Sequence, residues 1–348
     1  MIGAELLVLL LTTRCNLSCR YCYLGCGPKG EDMPWEVFEA TLYNLTKAPQ
    51  EIVLSGGEPT LRPEFLLRVV KSLRQRFPRV RISLQTNGTL LHTRLLRALA
   101  TLKVGLGLSL DGPLDINESL RGATQTVVRG LRLLTEEGLA CGVTVTVTKK
   151  NAYRLGETVL FLAQFHAVAS FGLDVLRPVG RARVDDLPSE EEFRQGLGQI
   201  FKVLAWLKAR GRVLIWRETQ PRSRGPYCAA QKGKAVVVTP QGQVYPCASL
   251  VGEKTFFMGY VGQDFLPKAL PDPCEGCGLQ GECPGRCPSR AWLSPKAAAL
   301  DCLIRESLGF FQKKNSERVR NHVSGGKNRE TICSSRDLSW REDYLREV

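Results

Sequence analysis

The chain has 348 residues, 43% of them hydrophobic, and a formal net charge of +14. This length allows one large domain and a smaller one with globular cores. Residues 1–13 show neither the basic start nor the cleavage site of a signal peptide, and no stretch approaches the roughly 18 apolar residues of a membrane helix. We therefore expect a cytoplasmic protein without a membrane partner. The basic residues are dispersed, which favours solvated helix faces, so no nucleic-acid partner is expected.

Up to about residue 180 the chain alternates short apolar runs with amphipathic segments. The predicted strands cover residues 5–12, 51–54, 80–85, 104–110, 140–148 and 171–176. The predicted helices cover residues 34–46, 63–77, 93–102, 124–137, 154–165 and 189–209. Ser189 and Glu192 predict a capping box at the start of the last helix. Six βα units in this order imply parallel strands with right-handed crossovers, and therefore an α/β fold with a closed or partial TIM-type barrel. Active sites of such barrels lie at the C-terminal ends of the strands.

Three cysteines follow the first predicted strand in the order Cys-x3-Cys-x2-Cys, at Cys15, Cys19 and Cys22. Three thiolates on one short loop can hold three corners of an iron–sulfur cube, which leaves one iron open. A structural zinc site with Cys26 as the fourth ligand is the alternative. None of the chain's three His residues lies near this loop. The 13 Cys of the chain favour metal binding, since disulfide scaffolds are small and secreted.

A second group of cysteines lies towards the C-terminus and consists of Cys228, Cys247, Cys274, Cys277, Cys283, Cys287 and Cys302. Four of them stand in the order Cys-x2-Cys-x5-Cys-x3-Cys, and a Gly-x4-Cys motif from Gly242 to Cys247 precedes these four. Regular periodicity weakens here, so the segment is expected to lack apolar mass and to need bound metal to fold. A pair of zinc ribbons is the alternative interpretation.

These patterns divide the chain into four parts. Residues 1–210 are predicted to form the barrel, and residues 211–227 a linker rich in Arg, Gly and Pro. Residues 228–310 are predicted to form the Cys-rich domain. Residues 311–348 combine charges of both signs and are expected to form a loosely held polar tail.

The first cysteine pattern resembles the radical S-adenosylmethionine (SAM) superfamily, and the second resembles the SPASM domain of its peptide and protein maturases. The resemblance implies a partial (β/α)6 TIM-type barrel with a C-terminal SPASM domain. It also implies SAM, one radical SAM [4Fe–4S] cluster and two auxiliary [4Fe–4S] clusters as cofactors. The expected activity is reductive cleavage of SAM to a 5′-deoxyadenosyl radical, which abstracts hydrogen from a peptide or protein substrate. A reduced ferredoxin or flavodoxin is the expected electron donor.

The turn Ser55-Gly-Gly-Glu-Pro-Thr60 after the second predicted strand resembles the GGE motif of this superfamily. The resemblance implies that Gly56, Gly57 and Glu58 contact the amino group of SAM. Two glycines allow close backbone approach, and a carboxylate pairs with an ammonium group. A Gly-rich βα turn without a ligand is the alternative.

Two further motifs resemble the superfamily, Thr86-Asn-Gly-Thr89 and Ser109-Leu-Asp-Gly112. In related enzymes a Ser at the position of Ser109 lies near the SAM ribose. Tyr21 and Tyr23 flank Cys22, where the family has an aromatic residue near the adenine. N-capping and loop geometry are the alternative explanation for these turns. No catalytic base can be assigned.

The SPASM resemblance also implies ligands for the auxiliary clusters. The distal cluster would be held by Cys274, Cys277, Cys283 and Cys302. The proximal cluster would be held by Cys228, Cys247 and Cys287. One iron of the proximal cluster is then open or bound by water or another side chain, because Lys234 stands where sulfatase-maturing enzymes carry an extra Cys. Cys26, Cys141 and Cys333 fall outside both patterns, and Cys141 is expected in the core.

The resemblance favours peptide or protein modification, with a thioether or another crosslink as a candidate product. A small-molecule enzyme of the haem-precursor decarboxylase type is the first alternative. Formylglycine formation is less favoured, because Ala248 stands where sulfatase-maturing enzymes carry an Asp. An RNA-modifying enzyme and a non-catalytic metal module are further alternatives. The early position of Cys15 leaves no room for an N-terminal leader-binding domain, so a leader would bind the barrel, the tail or a separate protein.

Overall fold

The computed structural model describes residues 3–220, 226–265, 267–280 and 283–309. Within these ranges ten strands form one sheet. The strands are β1 (Leu6–Leu10), β2 (Glu51–Ser55), β3 (Arg81–Thr86), β4 (Val104–Ser109), β5 (Cys141–Val147), β6 (Val168–Val175), β7 (Ile215–Trp216), β8 (Ala235–Val238), β9 (Gln243–Tyr245) and β10 (Gly259–Tyr260). Their order across the sheet is β10-β9-β8-β1-β2-β3-β4-β5-β6-β7. The strands from β8 to β7 run parallel, and β9 and β10 add an antiparallel extension.

Helices connect the parallel strands in the order that the sequence predicts. Those in the described part of the chain are α1 (Trp35–Tyr43), α2 (Pro63–Arg76), α3 (Thr93–Thr101), α4 (Leu114–Leu120), α5 (Thr124–Glu136), α6 (Leu155–Ala163), α7 (Glu190–Ala209), α8 (Pro288–Leu293) and α9 (Pro295–Ser307). The predicted partial TIM-type barrel is confirmed. Both ends of each predicted helix and strand lie within three residues of the observed ends. Helix α4 was missed because it is only seven residues long.

Strand β8 corrects an expectation about the Cys-rich segment. It pairs in parallel with β1, from Leu6 opposite Ala235 to Leu9 opposite Val238, and all four of its residues are buried. The segment therefore contributes apolar mass to the main sheet, although we expected it to lack such mass. The strand was missed because a run of four apolar residues is too short to show a period.

The predicted linker at residues 211–227 also contains a strand. Strand β7 pairs with β6, and Trp216 is buried against Phe171 with the two rings stacked 6.2 Å apart. A strand of two residues cannot show alternation, so the surrounding Arg, Gly and Pro determined the prediction. Residues 221–225 lie outside the described residues, as do the predicted tail and Cys333.

The apolar core explains how the sheet is held. One cluster joins β1–β3 to α1–α3, and a second joins β4–β6 to α4–α7 and α9. A third lies among β1, β8 and β9. Because the parallel strands share one direction, their carboxyl ends lie at one edge of the sheet. No helix in the described ranges is long and apolar enough to cross a membrane.

Ser189 caps α7 as the sequence predicts. Its hydroxyl accepts a hydrogen bond from the Glu192 N–H at 3.2 Å, and the Glu192 carboxylate accepts one from the Ser189 N–H at 2.9 Å. Loss of an N-cap costs about 1 kcal/mol, so Ser189→Ala should lower the free energy of unfolding by about that amount. Ser189→Asp keeps an acceptor and should cost less. Urea unfolding of both variants tests this, and equal losses would contradict it.

Candidate active site and metal centres

A cavity of about 250 Å³ lies at the carboxyl edge of the parallel strands, and we call it the first cavity. The loop after β1 forms one wall, and residues at the ends of β2 to β6 form the others. The predicted site residues that line it are Cys15, Cys19, Cys22, Tyr21, Tyr23, Gly56, Gly57 and Ser109. Of the residues predicted for the first cluster and SAM, Glu58 alone is missing from these walls.

Arg181 holds the cysteine loop, residues 15–26, in shape. Its guanidinium donates at 2.7 to 2.9 Å to three carbonyl oxygens of the loop, those of Cys19, Gly25 and Cys26. Its backbone N–H donates to the Cys22 carbonyl at 3.1 Å. The preceding Gly180 has a φ of +68°, and a Cβ there would lie 2.4 Å from the Cys22 carbonyl oxygen. The segment after β6 therefore packs directly on the backbone of the cysteine loop.

The glycine turn after β2 packs on residues 12–14, which lead into the cysteine loop. The Gly57 N–H donates to the Thr12 carbonyl at 2.7 Å. A Cβ at Gly56 would lie 2.3 Å from the Thr12 carbonyl oxygen, and one at Gly57 would lie 2.0 Å from that of Arg14. The two glycines thus permit contact between two backbone segments at the wall of the cavity.

Glu58 is fully buried and joins two turns. Its carboxylate accepts hydrogen bonds from the N–H and hydroxyl of Thr60, from the Thr86 hydroxyl at 2.7 Å and from the Asn87 N–H at 2.7 Å. Burial raises the pKa of Glu58, and these bonds oppose the shift. The carboxylate ties the turn after β2 to the turn after β3, and its contact with SAM stays a prediction.

Tyr21 belongs to a buried network with Asp111 and Arg121. Its hydroxyl donates to the Asp111 carboxylate, and Arg121 donates to the Tyr21 oxygen at 2.6 Å. The Thr146 N–H donates to the other Asp111 oxygen at 2.8 Å. Burial raises the pKa of both Tyr21 and Asp111, while Arg121 works to lower them. These bonds fix the Tyr21 ring at the wall of the cavity.

The thiols of the cysteine loop differ in acidity. Burial raises the pKa of Cys15 and of Cys19. A hydrogen bond with Cys26 lowers the pKa of Cys22 to about 6. Because iron binds the thiolate, metal binding at this loop releases protons.

The charge of the first cavity fits an iron–sulfur cluster and SAM. Three arginines line it, Arg121, Arg177 and Arg181, together with the single carboxylate of Asp174. A positive wall suits thiolates and the SAM carboxylate, since both are anionic. In the described ranges no three His, Cys, Asp or Glu side chains converge on a single metal ion.

The predicted proximal ligands Cys247 and Cys287 are joined by two hydroxyls. The Cys247 Sγ lies 3.2 Å from the Ser249 Oγ, which donates to the Ser289 Oγ at 3.0 Å. The Ser289 Oγ lies 3.2 Å from the Cys287 Sγ. This chain of contacts brings together two cysteines that are 40 positions apart in the sequence.

Cys228, the third predicted proximal ligand, lies within electrostatic reach of the other two. Burial raises the pKa of its thiol, and negative charge on Cys287 and Cys247 raises it further. Lys234 lies elsewhere, with its Nζ 2.8 Å from the Glu5 carboxylate. The residue in place of the extra family Cys is therefore engaged in a surface ion pair.

A second cavity of about 280 Å³ collects the predicted distal ligands. Its walls include Cys274, Cys277, Cys283 and Cys302. Arg286 and Arg305 line it as well. Four thiols and two cations around one cavity fit the donor set of a [4Fe–4S] cluster.

A partial parallel barrel with three thiols and a glycine turn at its carboxyl edge is the arrangement of radical SAM proteins. Residues 9–162 match the model of the Radical SAM superfamily. These residues form a radical SAM domain. The chain is a radical SAM enzyme, and its cofactors are SAM and [4Fe–4S] clusters.

Three relatives illustrate the range of this similarity. The antilisterial bacteriocin subtilosin biosynthesis protein AlbA from Bacillus subtilis is 27% identical over 276 residues, 76% of this chain and 58% of AlbA. The mycofactocin maturase MftC from Mycobacterium ulcerans is 28% identical over 313 residues, 80% of this chain and 81% of MftC. The Fe-coproporphyrin III synthase from Methanosarcina barkeri is 35% identical over 150 residues, 40% of this chain and 36% of the synthase.

Solved structures share the fold. Native anSMEcpe with bound AdoMet superposes with a TM-score of 0.68 at 21% identity, covering 91% of this chain and 98% of that one. SuiB from Streptococcus suis bound to the precursor peptide SuiA gives a TM-score of 0.65 at 18% identity, with coverages of 85% and 74%. At these identities the likeness shows the common fold alone.

The polar residues that surround the thiols were not predicted from the sequence. Asp111 stood within the quoted Ser-Leu-Asp-Gly motif, but we gave it no role. Asp174, Arg177 and Arg181 lie in or just after the sixth predicted strand, at the edge where the site was expected. Polar residues at the carboxyl end of a buried strand were the signal that could have identified them.

Arg181→Met should loosen the cysteine loop, because it removes three hydrogen bonds to loop carbonyls. After anaerobic reconstitution this variant should hold about four fewer irons per chain than the parent, the content of one cluster. Arg183→Met is the matched control, since Arg183 is exposed and lies two positions further along. Iron and sulfide analysis measures both variants, and full iron content in Arg181→Met would refute a role for Arg181 in holding the loop.

Proposed function

We propose that this enzyme modifies a peptide or protein, for example by forming a thioether or another crosslink. The observation that carries the proposal is the first cavity, where the cysteine loop, the glycine turn and the end of β4 share walls. Similarity to AlbA and MftC over three quarters or more of this chain supports a peptide substrate, since their names describe bacteriocin biosynthesis and mycofactocin maturation.

The proposed ligands of the radical SAM cluster are Cys15, Cys19 and Cys22. SAM would lie between the glycine turn and Ser109, with Tyr21 as a wall for its adenine. When bound, the cluster and SAM supply the radical that abstracts hydrogen. The chain supplies placement, because Arg181 holds the loop, and Asp111 and Arg121 fix the Tyr21 ring. The buried walls limit the access of water to the reacting groups.

The auxiliary clusters are proposed to use the second group of cysteines. The distal ligands would be Cys274, Cys277, Cys283 and Cys302, which line the second cavity. The proximal ligands would be Cys228, Cys247 and Cys287. We further propose that a reduced ferredoxin or flavodoxin delivers the electron and that the protein works in the cytoplasm, where twelve free cysteines among the described residues suit the reducing conditions.

A small-molecule substrate is the second candidate. The match to Fe-coproporphyrin III synthase has the higher identity, 35%, but it extends over 40% of this chain. AlbA and MftC match 76% and 80% of this chain. Formylglycine formation is disfavoured, because Ala248 offers no acid–base group after Cys247.

Cys15→Ala/Cys19→Ala/Cys22→Ala should abolish SAM cleavage and lower the iron content from about twelve to about eight per chain. The assay measures 5′-deoxyadenosine under dithionite after anaerobic reconstitution. Cys141→Ala is the control, since Cys141 is buried in β5 and lines neither cavity. SAM cleavage that survives in the triple variant, or a parent that holds zinc, would contradict the proposal.

A precursor-peptide assay separates the two substrate classes. The enzyme is incubated with SAM, reductant and candidate peptides encoded beside its gene, and each peptide is examined by mass spectrometry. We expect a mass loss of about 2 Da for a crosslink, because two hydrogens leave when one new bond forms. Cleavage of SAM with modification of a porphyrin precursor and of no peptide would favour the small-molecule alternative.

A further inference from the structure

A chain of paired charges joins the first cavity to the proximal cysteine site. Asp174 lies near the end of β6 and lines the first cavity. Its carboxylate accepts two hydrogen bonds from Arg177, both at 2.8 Å, and one from Arg290 at 2.6 Å. The Asp174 side chain is 33% exposed and the Arg290 side chain is 3% exposed, so these pairs lead from the wall of the cavity into the protein.

Arg177 also reaches the proximal site. Its second terminal nitrogen donates to the Cys287 Sγ at 3.8 Å, which is within the range of hydrogen bonds to sulfur. The Cys287 N–H donates to Asp301 at 3.0 Å, and Asp301 accepts a hydrogen bond from Arg290 as well. One guanidinium therefore contacts a wall carboxylate of the first cavity and a predicted cluster ligand.

This placement has an electrostatic consequence. The reduction potential of an iron–sulfur cluster depends on its net charge, its burial and the hydrogen bonds to its sulfurs. A cation beside a ligand sulfur favours the reduced form, which carries one more negative charge. Arginine keeps its charge when buried, and low solvent exposure strengthens its field.

We propose that the Arg177–Asp174 pair, which lies at the wall of the first cavity, sets the reduction potential of the proximal auxiliary centre. Arg177 raises the potential through its charge and its bond to Cys287, and Asp174 moderates this effect. The inference rests on the proposed function in one respect, that Cys287 holds a cluster.

Two variants test this with effects of opposite sign. Arg177→Met removes the cation and the bond to sulfur, so the potential of the proximal centre should fall. Asp174→Asn removes the opposing charge at nearly constant shape, so the potential should rise. At the parent's midpoint we expect the ratio of reduced to oxidised centre to change by about tenfold in each, which for one electron is about 59 mV.

The titration uses protein that lacks the first three cysteines, so that the radical SAM cluster does not contribute. The proximal transition is identified by its loss in Cys287→Ser. Arg212→Met is the matched control, because Arg212 bonds the carbonyls of Phe165 and Val168 at the opposite end of β6. The reduction potential of the proximal centre in Arg212→Met should match that of the parent.

The outcomes separate the inference from the proposed function. If the parent enzyme binds no auxiliary iron, the proposed function is contradicted. Auxiliary iron at full content with unchanged potentials in both variants would overturn the inference. If Arg177→Met does not bind the proximal cluster, the test rests on Asp174→Asn. A reduction potential of the proximal centre in Asp174→Asn that is equal to or below that of the parent would overturn the inference.

Discussion

Compensation of buried negative charge is the condition on which the whole site depends. Thiolates, a cluster and the buried Asp111 carboxylate cannot lie in a largely apolar interior without partners, because burial of an unpaired charge is costly. The carboxyl edge of the sheet meets this condition with arginines. Arg121 pairs with Asp111, and Arg177 and the more deeply buried Arg290 pair with Asp174. Each guanidinium has five donors in a fixed plane, so it can neutralise one group and hold a second in place. The three donors of a lysine ammonium all lie on one nitrogen, so lysine would supply the charge without the fixed planar spacing that these double contacts use.

The cysteine loop shows a related constraint on the backbone. In the described structure, residues 15–26 lie outside the helices and sheet strands, so their carbonyl groups need partners from elsewhere in the chain. The Arg181 guanidinium supplies three of these partners and its backbone N–H a fourth, and the glycine turn after β2 packs on residues 12–14. The form of the loop therefore depends on segments that are more than 30 and more than 150 positions away. This explains why a spacing of cysteines predicts the chemistry of the loop but says little about its geometry.

Features that depend on neighbouring residues were predicted from the sequence, and features that depend on contacts between distant residues were not. Strands β1 to β6 and the cap at Ser189 depend on patterns within a few residues, and the sequence revealed them. The pairing of Leu6 with Ala235 joins positions 229 apart, and no local period reports it. Eight of the nine residues predicted for the radical SAM site share one cavity, because they follow parallel strands that end at one edge. Arg177 and Arg181 were missed, since a lone arginine has no pattern until its partners are known.

The Cys-rich segment is built into the barrel rather than attached to it. Its first strand, β8, extends the sheet beside β1, and its last helix, α9, packs on α7 and β6 near the other edge. Arg194 of α7 and Glu306 of α9 form an ion pair at 2.9 Å, which adds to this contact. The segment thus supports both sides of an open sheet while it carries the proposed auxiliary ligands. Five of its seven cysteines lie between β8 and α9 in the chain, and Cys302 lies within α9. The folding of the sheet and the binding of metal to the auxiliary sites therefore act on the same backbone. Arg177, which follows β6 and reaches Cys287, lies where these two parts of the chain meet.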